Sequence, residues 1–136
     1  MYNFNQNNTF SVKNIAIEAL IQNIIISCGI SPQLYGYRYL KEAIKIVVKS
    51  PRLLNNITKE LYPAVADACE TTPCKVERSI RHAIDIAWGN GKIYFVNTLY
   101  GVPIFCESHK PTNGEFIAIV SDKLLLEIEL NVEHTY

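Results

Sequence analysis

The sequence has four cysteines, Cys28, Cys69, Cys74 and Cys106, but no CxxC pair. That spread argues against a zinc ribbon and against a dithiol redox motif. A site assembled from Cys69, Cys74, His82 and His109 is the remaining metal option, and reduced thiols without metal are the expectation. P-loop, HExxH and Ser-His-Asp patterns are also missing, and Gly89-Asn90-Gly91 reads as a turn rather than a phosphate cradle. Neither an enzyme nor a cofactor is expected. The chain has no excess charge, with 13 Lys plus Arg against 13 Asp plus Glu. This argues against holding a polyanion by bulk electrostatics, because phosphate neutralisation supplies most non-specific nucleic-acid affinity. A local basic patch stays open, and basic residues do concentrate between Arg38 and Lys92. No apolar run is long enough to span a bilayer. The Asn-rich start lacks the basic segment of a signal peptide, so the expected location is the cytoplasm, away from membranes. No internal repeat is visible. At 136 residues the chain fits one domain with a core that needs neither disulfide nor metal.

Helical periodicity is plentiful. Residues 1–10 read as a flexible arm. Ser11 can cap a helix running to about Cys28, with Ile15, Leu20, Ile24 and Ile25 inward and Gly29 as its stop. A second helix is expected from about Gly36 to Lys49, with Tyr37, Leu40, Ile44 and Val47 or Val48 inward. Of Tyr35, Tyr37 and Tyr39, helical packing predicts core rings with one exposed, against the alternative of base stacking on single strands. Ser50-Pro51 reads as a capping Ser before an N1 Pro. The pattern Ile57 to Cys69 places Ile57, Leu61, Val65 and Ala68 on one side, with Pro63 expected to kink or split it.

The stretch Thr71 to Trp88 carries the most information. Val76, Ile80, Ala83, Ile84 and Ala87 form an apolar stripe, while Glu77, Arg78, Arg81 and Asp85 fall on another face. Thr71 or Thr72 can cap this helix and Pro73 suits its first turn. Two arginines a turn apart match the O6 and N7 acceptors of guanine, and a nearby carboxylate can accept from cytosine N4. Ordinary surface ion pairs at i,i+3 and i,i+4 explain the same charges without a ligand. The preceding helix and the short break Glu70-Thr71-Thr72 make a helix-turn-helix candidate, although the junction has no glycine.

Four segments, Tyr35-Gly36-Tyr37-Arg38-Tyr39-Leu40-Lys41-Glu42-Ala43-Ile44, Ile57-Thr58-Lys59-Glu60-Leu61-Tyr62-Pro63, Val76-Glu77-Arg78-Ser79-Ile80-Arg81-His82-Ala83-Ile84 and Lys110-Pro111-Thr112-Asn113-Gly114-Glu115-Phe116-Ile117-Ala118, occur in this order. In order and spacing they resemble the C-terminal effector domain of the stage-zero sporulation master regulator of endospore-forming Firmicutes. The resemblance runs from about Ile15 to Glu127. It implies an all-α fold of about six helices with a central helix-turn-helix that reads double-stranded DNA at a GTCGAA-like operator box. It also implies that Glu77, Arg78 and Arg81 face base edges. Thr71, Thr72 and Lys75, at the turn and the start of the second helix, are the expected phosphate contacts, together with Lys110 and with His82, for which a partly buried packing role is the alternative. Departures matter. Pro73-Cys74-Lys75 stands where the family usually has Ala-Ser-Arg, and Lys keeps the charge but not the bidentate geometry. Ser79 replaces a common Ala. Cys106-Glu107-Ser108-His109 replaces a commonly Lys-containing segment. The family also carries an N-terminal receiver with a phosphorylated Asp; with only about a dozen residues ahead of the first helix, the expectation here is an effector-like domain without one.

Lys92 to Tyr100 favours a strand by propensity, through Ile93-Tyr94-Phe95-Val96, whereas the resemblance implies a short helix ending at Gly101, which is the reading adopted. Val102 to Pro111 reads as a loop, and a last helix is expected from about Gly114 to Leu126, with Phe116, Ile117, Val120 and Leu124 inward. Beyond it, Leu126 to Glu133 alternates apolar and polar residues. This fits either a helix extension or an extended segment that pairs with another edge. The expected division is an arm over 1–10, a helical domain over 11–127 and a C-terminal extension over 128–136. The functional expectation is a DNA-binding transcription regulator, with a homodimer as one way to engage paired boxes. The rival is an interaction module of the same fold that binds the full-length regulator, or the sigma subunit of RNA polymerase, without reading DNA.

Overall fold

A computed structural model of the protein describes residues 16–133, and these are helical throughout apart from connecting turns. Among them there is no β-strand, only a single antiparallel bridge between Cys106 and His109. Helix α1 covers 16–27 of the described residues. Then follow α2 (Tyr35–Lys49), a 3₁₀ turn (Pro51–Asn55), a π turn (Ile57–Leu61), α3 (Tyr62–Ala68), α4 (Pro73–Gly89), a 3₁₀ turn (Lys92–Tyr94), α5 (Phe95–Tyr100) and α6 (Asn113–Glu133). The all-α expectation holds, and Lys92 to Tyr100 is helical as adopted, closing at Gly101 in the left-handed region. The arm, Ser11 and Ile15 lie outside the described residues.

Helix α2 is the central strut and packs on α3, α4 and α6. Leu40, Ala43, Ile44 and Val47 on it are fully buried. Its closest neighbour is α4, and Gly36 sets the distance. A Cβ at Gly36 would sit 2.3 Å from the Ser79 carbonyl oxygen and 2.6 Å from the Ala83 Cβ, so only a residue without a Cβ lets the two backbones meet. On α4 the expected stripe of Val76, Ile80, Ala83, Ile84 and Ala87 is buried. Burying each large aliphatic contributes about 1.5–3 kcal/mol. That outweighs the ~0–1 kcal/mol of an exposed ion pair, so the apolar stripe, not the surface charges, orients this helix.

Two expectations need correction, and one open alternative is decided. The first concerns Ile57 to Cys69. Leu61 and Val65 are buried as expected, but Ala68 is exposed, and Tyr62, Ala66 and Cys69 are buried instead. Pro63 is the cause: it has no N–H for the Lys59 carbonyl and its ring would press on that carbonyl in a regular helix. The chain widens into the π turn, with Tyr62 N–H bonded to the Ile57 carbonyl, and α3 restarts in a shifted phase. The second concerns Ser50, whose side chain makes no capping bond; its N–H instead closes α2 on the Ile46 carbonyl at 2.8 Å. The tail takes the first of its two readings, the helix extension, past the expected end near Leu126. Helix α6 continues unbroken through Glu133, so the alternating residues from Leu126 are helical. Leu124 is buried and Ile128 half-buried, four residues apart on the inner side, while Leu126 and Leu130 are exposed.

Candidate nucleic-acid interface

The helix-turn-helix is α3, the junction Cys69 to Thr72, and α4. The junction is closed by main-chain bonds. Thr71 N–H donates to the Ala66 carbonyl at 2.9 Å and Glu70 N–H reaches the Asp67 carbonyl at 3.5 Å. This is the Schellman arrangement, and Glu70 holds the left-handed position usually given to glycine, at φ +55°. Thr72 is the cap of α4: its Oγ1 accepts from Lys75 N–H at 3.2 Å, and Pro73 follows in the first turn.

Helix α4 therefore projects its polar side outward from a fixed origin. Arg78, Arg81, His82 and Asp85 are exposed, as are Cys74 and Lys75, and Glu77 is half-buried. Arg81 Nη1 donates to Glu77 Oε1 at 2.8 Å. Arg78 has no ion pair or hydrogen bond among the described residues. Lys75 Nζ lies 4.3 Å above the centroid of the Tyr35 ring. Of the tyrosine triad, Tyr37 and Tyr39 are buried and Tyr35 is the exposed ring. Lys110 arrives from the loop ahead of α6 and donates to Asp85 Oδ1 at 2.6 Å. Both ion pairs on this face are exposed and so worth little; a ligand that offered Arg81 or Lys110 a better partner would displace the carboxylate at small expense.

The edge of α4 that carries Glu77, Arg81 and Asp85 is bolted to the start of α6. Asn113 Nδ2 donates to the Glu77 carbonyl and to the Tyr62 hydroxyl, both at 3.0 Å. One side chain thereby joins α6, α4 and α3 directly under the outward stripe. Burial pushes the Tyr62 phenol up, with the Asn113 bond acting the other way, so this hydroxyl stays protonated at neutral pH. Thr112 caps α6 through Glu115 N–H at 3.1 Å, and His109 Nε2 meets Glu115 Oε2 at 3.0 Å. The His109 hydrogen bond is the main reason the Glu115 carboxyl sits below its ordinary range.

The residues expected at the site are therefore gathered, but not equally. Glu77, Arg78, Arg81, Lys75 and His82 share α4, Thr71 and Thr72 precede it, and Lys110 joins through Asp85. Sequence reasoning did not assign Asn113, Asp85 or Tyr35 a part here. Asn113 finds its partners 36 and 51 residues away and Lys110 its partner 25 residues away, and nothing local announces such pairs. The spacing of Tyr35 did indicate one exposed ring, without saying which cation it would meet. For metal chemistry, no group of three or more His, Cys, Asp or Glu side chains lies within ligating reach among the described residues. Burial pushes the Cys28 thiol up to about 12, so it is an inert core group. No helix of the described residues is long and apolar enough to cross a membrane.

The helix-turn-helix with its outward arginines lies within a sequence match to known proteins. Residues 21–124 match the family described as Sporulation initiation factor Spo0A C terminal, a span reaching from α1 through the buried part of α6. The chain belongs to the Spo0A C-terminal family and is a DNA-binding domain of the sporulation-regulator type.

Proposed function

We propose that this domain reads a specific operator in double-stranded DNA and regulates transcription in the cytoplasm. In this reading α4 enters the major groove. Arg78 and Arg81 donate to guanine O6 and N7, and Glu77 accepts from cytosine N4. Thr71, Thr72, Lys75, His82 and Lys110 take backbone phosphates, which fix register without carrying sequence information. The carrying observation is that α4 is capped at Thr72, buried on its apolar side, and left with Arg78 and Arg81 exposed on its outer side. A GTCGAA-like box supplies the guanines and cytosine this arrangement needs.

The test is a gel-shift titration with an operator duplex and a scrambled duplex at one salt concentration. Wild-type protein prefers the operator. Arg78→Ala and Arg81→Ala each remove about 1–3 kcal/mol of specific binding. The double variant no longer discriminates. Discrimination unchanged in the double variant would end this reading.

A second reading is favoured by α6. Leu126 and Leu130 are exposed one turn apart near its end, beyond the span of the family match. An exposed apolar edge of this kind fits self-association on paired boxes, or contact with a full-length regulator or a polymerase sigma subunit. The outward face of α4, where two of its cations already hold carboxylates, is compatible with a protein ligand as well. The same titration separates DNA reading from a protein-interaction module, which shows no operator preference.

A further inference from the structure

Lysine has a flexible four-carbon stem and loses rotamer entropy whenever it is held in one place. Lys75 is held. Its ammonium lies 4.3 Å from the centroid of the Tyr35 ring, inside the range of a cation–π contact. Tyr35 opens α2 and is 63 % exposed, so packing does not account for a ring there. The ring is itself oriented: it lies at 18° and 6.3 Å from the ring of Tyr39, which is 2 % exposed. A chain of contacts thus runs from the core through Tyr39 and Tyr35 to the Lys75 ammonium. Beside it, between α2 and α4, is a cleft of ≈ 370 Å³ lined by Gln33, Tyr35, Arg78, Ser79 and His82 among others, with no carboxylate in its walls.

The contrast with Lys110 gives this arrangement its meaning. Lys110 is held by the carboxylate of Asp85, which cancels its charge. An aromatic face holds an ammonium while leaving the full positive charge in place. A lysine positioned by a ring, next to a cleft with basic side chains and no acid, remains attractive to an anion. We propose that Tyr35 is a positioning residue for DNA-backbone binding: its ring keeps Lys75 at the edge of this cleft, where Lys75 and His82 take one phosphate of the strand flanking the groove that α4 enters. Arg78, at the outer wall, reaches on to the bases. This assignment rests on the DNA-binding reading above and extends the interface from the helix-turn-helix to the first turn of α2.

The experiment is a double-mutant cycle on Tyr35 and Lys75 in the full chain, with dissociation constants measured for the operator duplex and the scrambled duplex over a salt series. Tyr35→Ala weakens both duplexes about two- to fivefold, the size of a solvent-exposed cation–π contact. Tyr35→Phe, which keeps the ring, binds like wild type. Lys75→Ala lowers the salt slope by about one unit, and adding Tyr35→Ala to it causes no further loss. Tyr35→Leu keeps an apolar side chain without a π face and replaces the alanine variant if that one does not fold. Proton NMR gives a readout independent of DNA: the ring-current shift of the Lys75 ε-methylene is present in wild type and Tyr35→Phe and absent in Tyr35→Leu. Additive effects of the two substitutions overturn the assignment, as does tighter binding by Tyr35→Ala, which would mean that the ring competes with the phosphate. Additivity with operator preference intact removes this assignment alone. Loss of operator preference in wild type removes the sequence-reading role but leaves the cycle readable on the scrambled duplex.

Discussion

On the side of α4 that faces α2, Lys75 lies over an aromatic ring, and Arg78 and His82 have no ion pair among the described residues. On the side that faces the start of α6, Arg81 is bonded to Glu77 and Lys110 to Asp85. The same helix is thus basic along one edge and internally neutralised along the other. The means of attachment differ as well. The α2 side is fixed by backbone approach through Gly36, which uses no polar group. The α6 side is fixed by hydrogen bonds through Asn113, with acids and bases close together around them. A chain with zero net charge can therefore present a positive edge, because both acids of α4, Glu77 and Asp85, lie on the side bolted by polar contacts and neither lies on the side bolted by shape.

The largest loss is expected at the steric bolt. Gly36→Ala places a Cβ against a backbone carbonyl that cannot rotate away, and should destabilise the fold by about 3 kcal/mol, read from the midpoint of urea unfolding at unchanged slope. A variant within about 0.5 kcal/mol of wild type would mean that close approach is not what holds α2 to α4. The polar bolt is weaker. Asn113→Ala removes two hydrogen bonds and should lose about 1–2 kcal/mol, with faster amide exchange in α4 around Glu77 and Arg81. Equal acceleration along all of α4 would show that Asn113 supports the whole fold and not this edge.

The smallest effect is set by pH. Because the Glu115 carboxyl is depressed in the folded protein, chiefly by the His109 hydrogen bond, its contribution is complete above the ordinary glutamate range. It fades as pH falls through the lower folded value. Glu115→Gln should accordingly flatten the stability profile between about pH 3 and 5, with its loss, roughly a few tenths of a kcal/mol for so exposed a pair, present at pH 7 and gone once the wild-type carboxyl is protonated. A slope in that window identical to wild type would separate Glu115 from the acid response.

Much of this architecture could be read in the sequence, and what could not has specific physical causes. The stripe of α4, the Thr-Pro start and the single exposed tyrosine are local patterns of spacing and capping, and all three are present in the fold. The phase slip at Ala68 was missed because a proline can kink a helix, end it or widen it, and only the surrounding packing selects the π turn. The tail alternates like a strand, yet a strand needs a neighbour for its main-chain bonds, whereas a helix satisfies them internally. Leu124 and Ile128, four apart, give that helix an inner edge. The ion pair at Lys110 and the Asn113 bolt depend on how distant segments meet. The base-facing roles proposed for Glu77, Arg78 and Arg81 came from the family resemblance; spacing alone favoured ordinary surface ion pairs.

The junction at Glu70 carries a different kind of consequence. Its turn is closed by main-chain bonds that any residue but proline can make, so the angle between α3 and α4 does not depend on which other side chain stands there. What does depend on it is the backbone penalty, on the order of 1 kcal/mol for an L-residue in the left-handed region, and the local charge. Glycine would relieve the first and remove the second. With glutamate, the chain accepts a less stable turn and sets an exposed carboxylate two residues ahead of the cap of α4, where on the proposed reading it repels every phosphate alike. On that reading, Glu70→Gly should raise affinity for every duplex alike and leave the ratio between operator and scrambled DNA, the property assigned there to α4, unchanged.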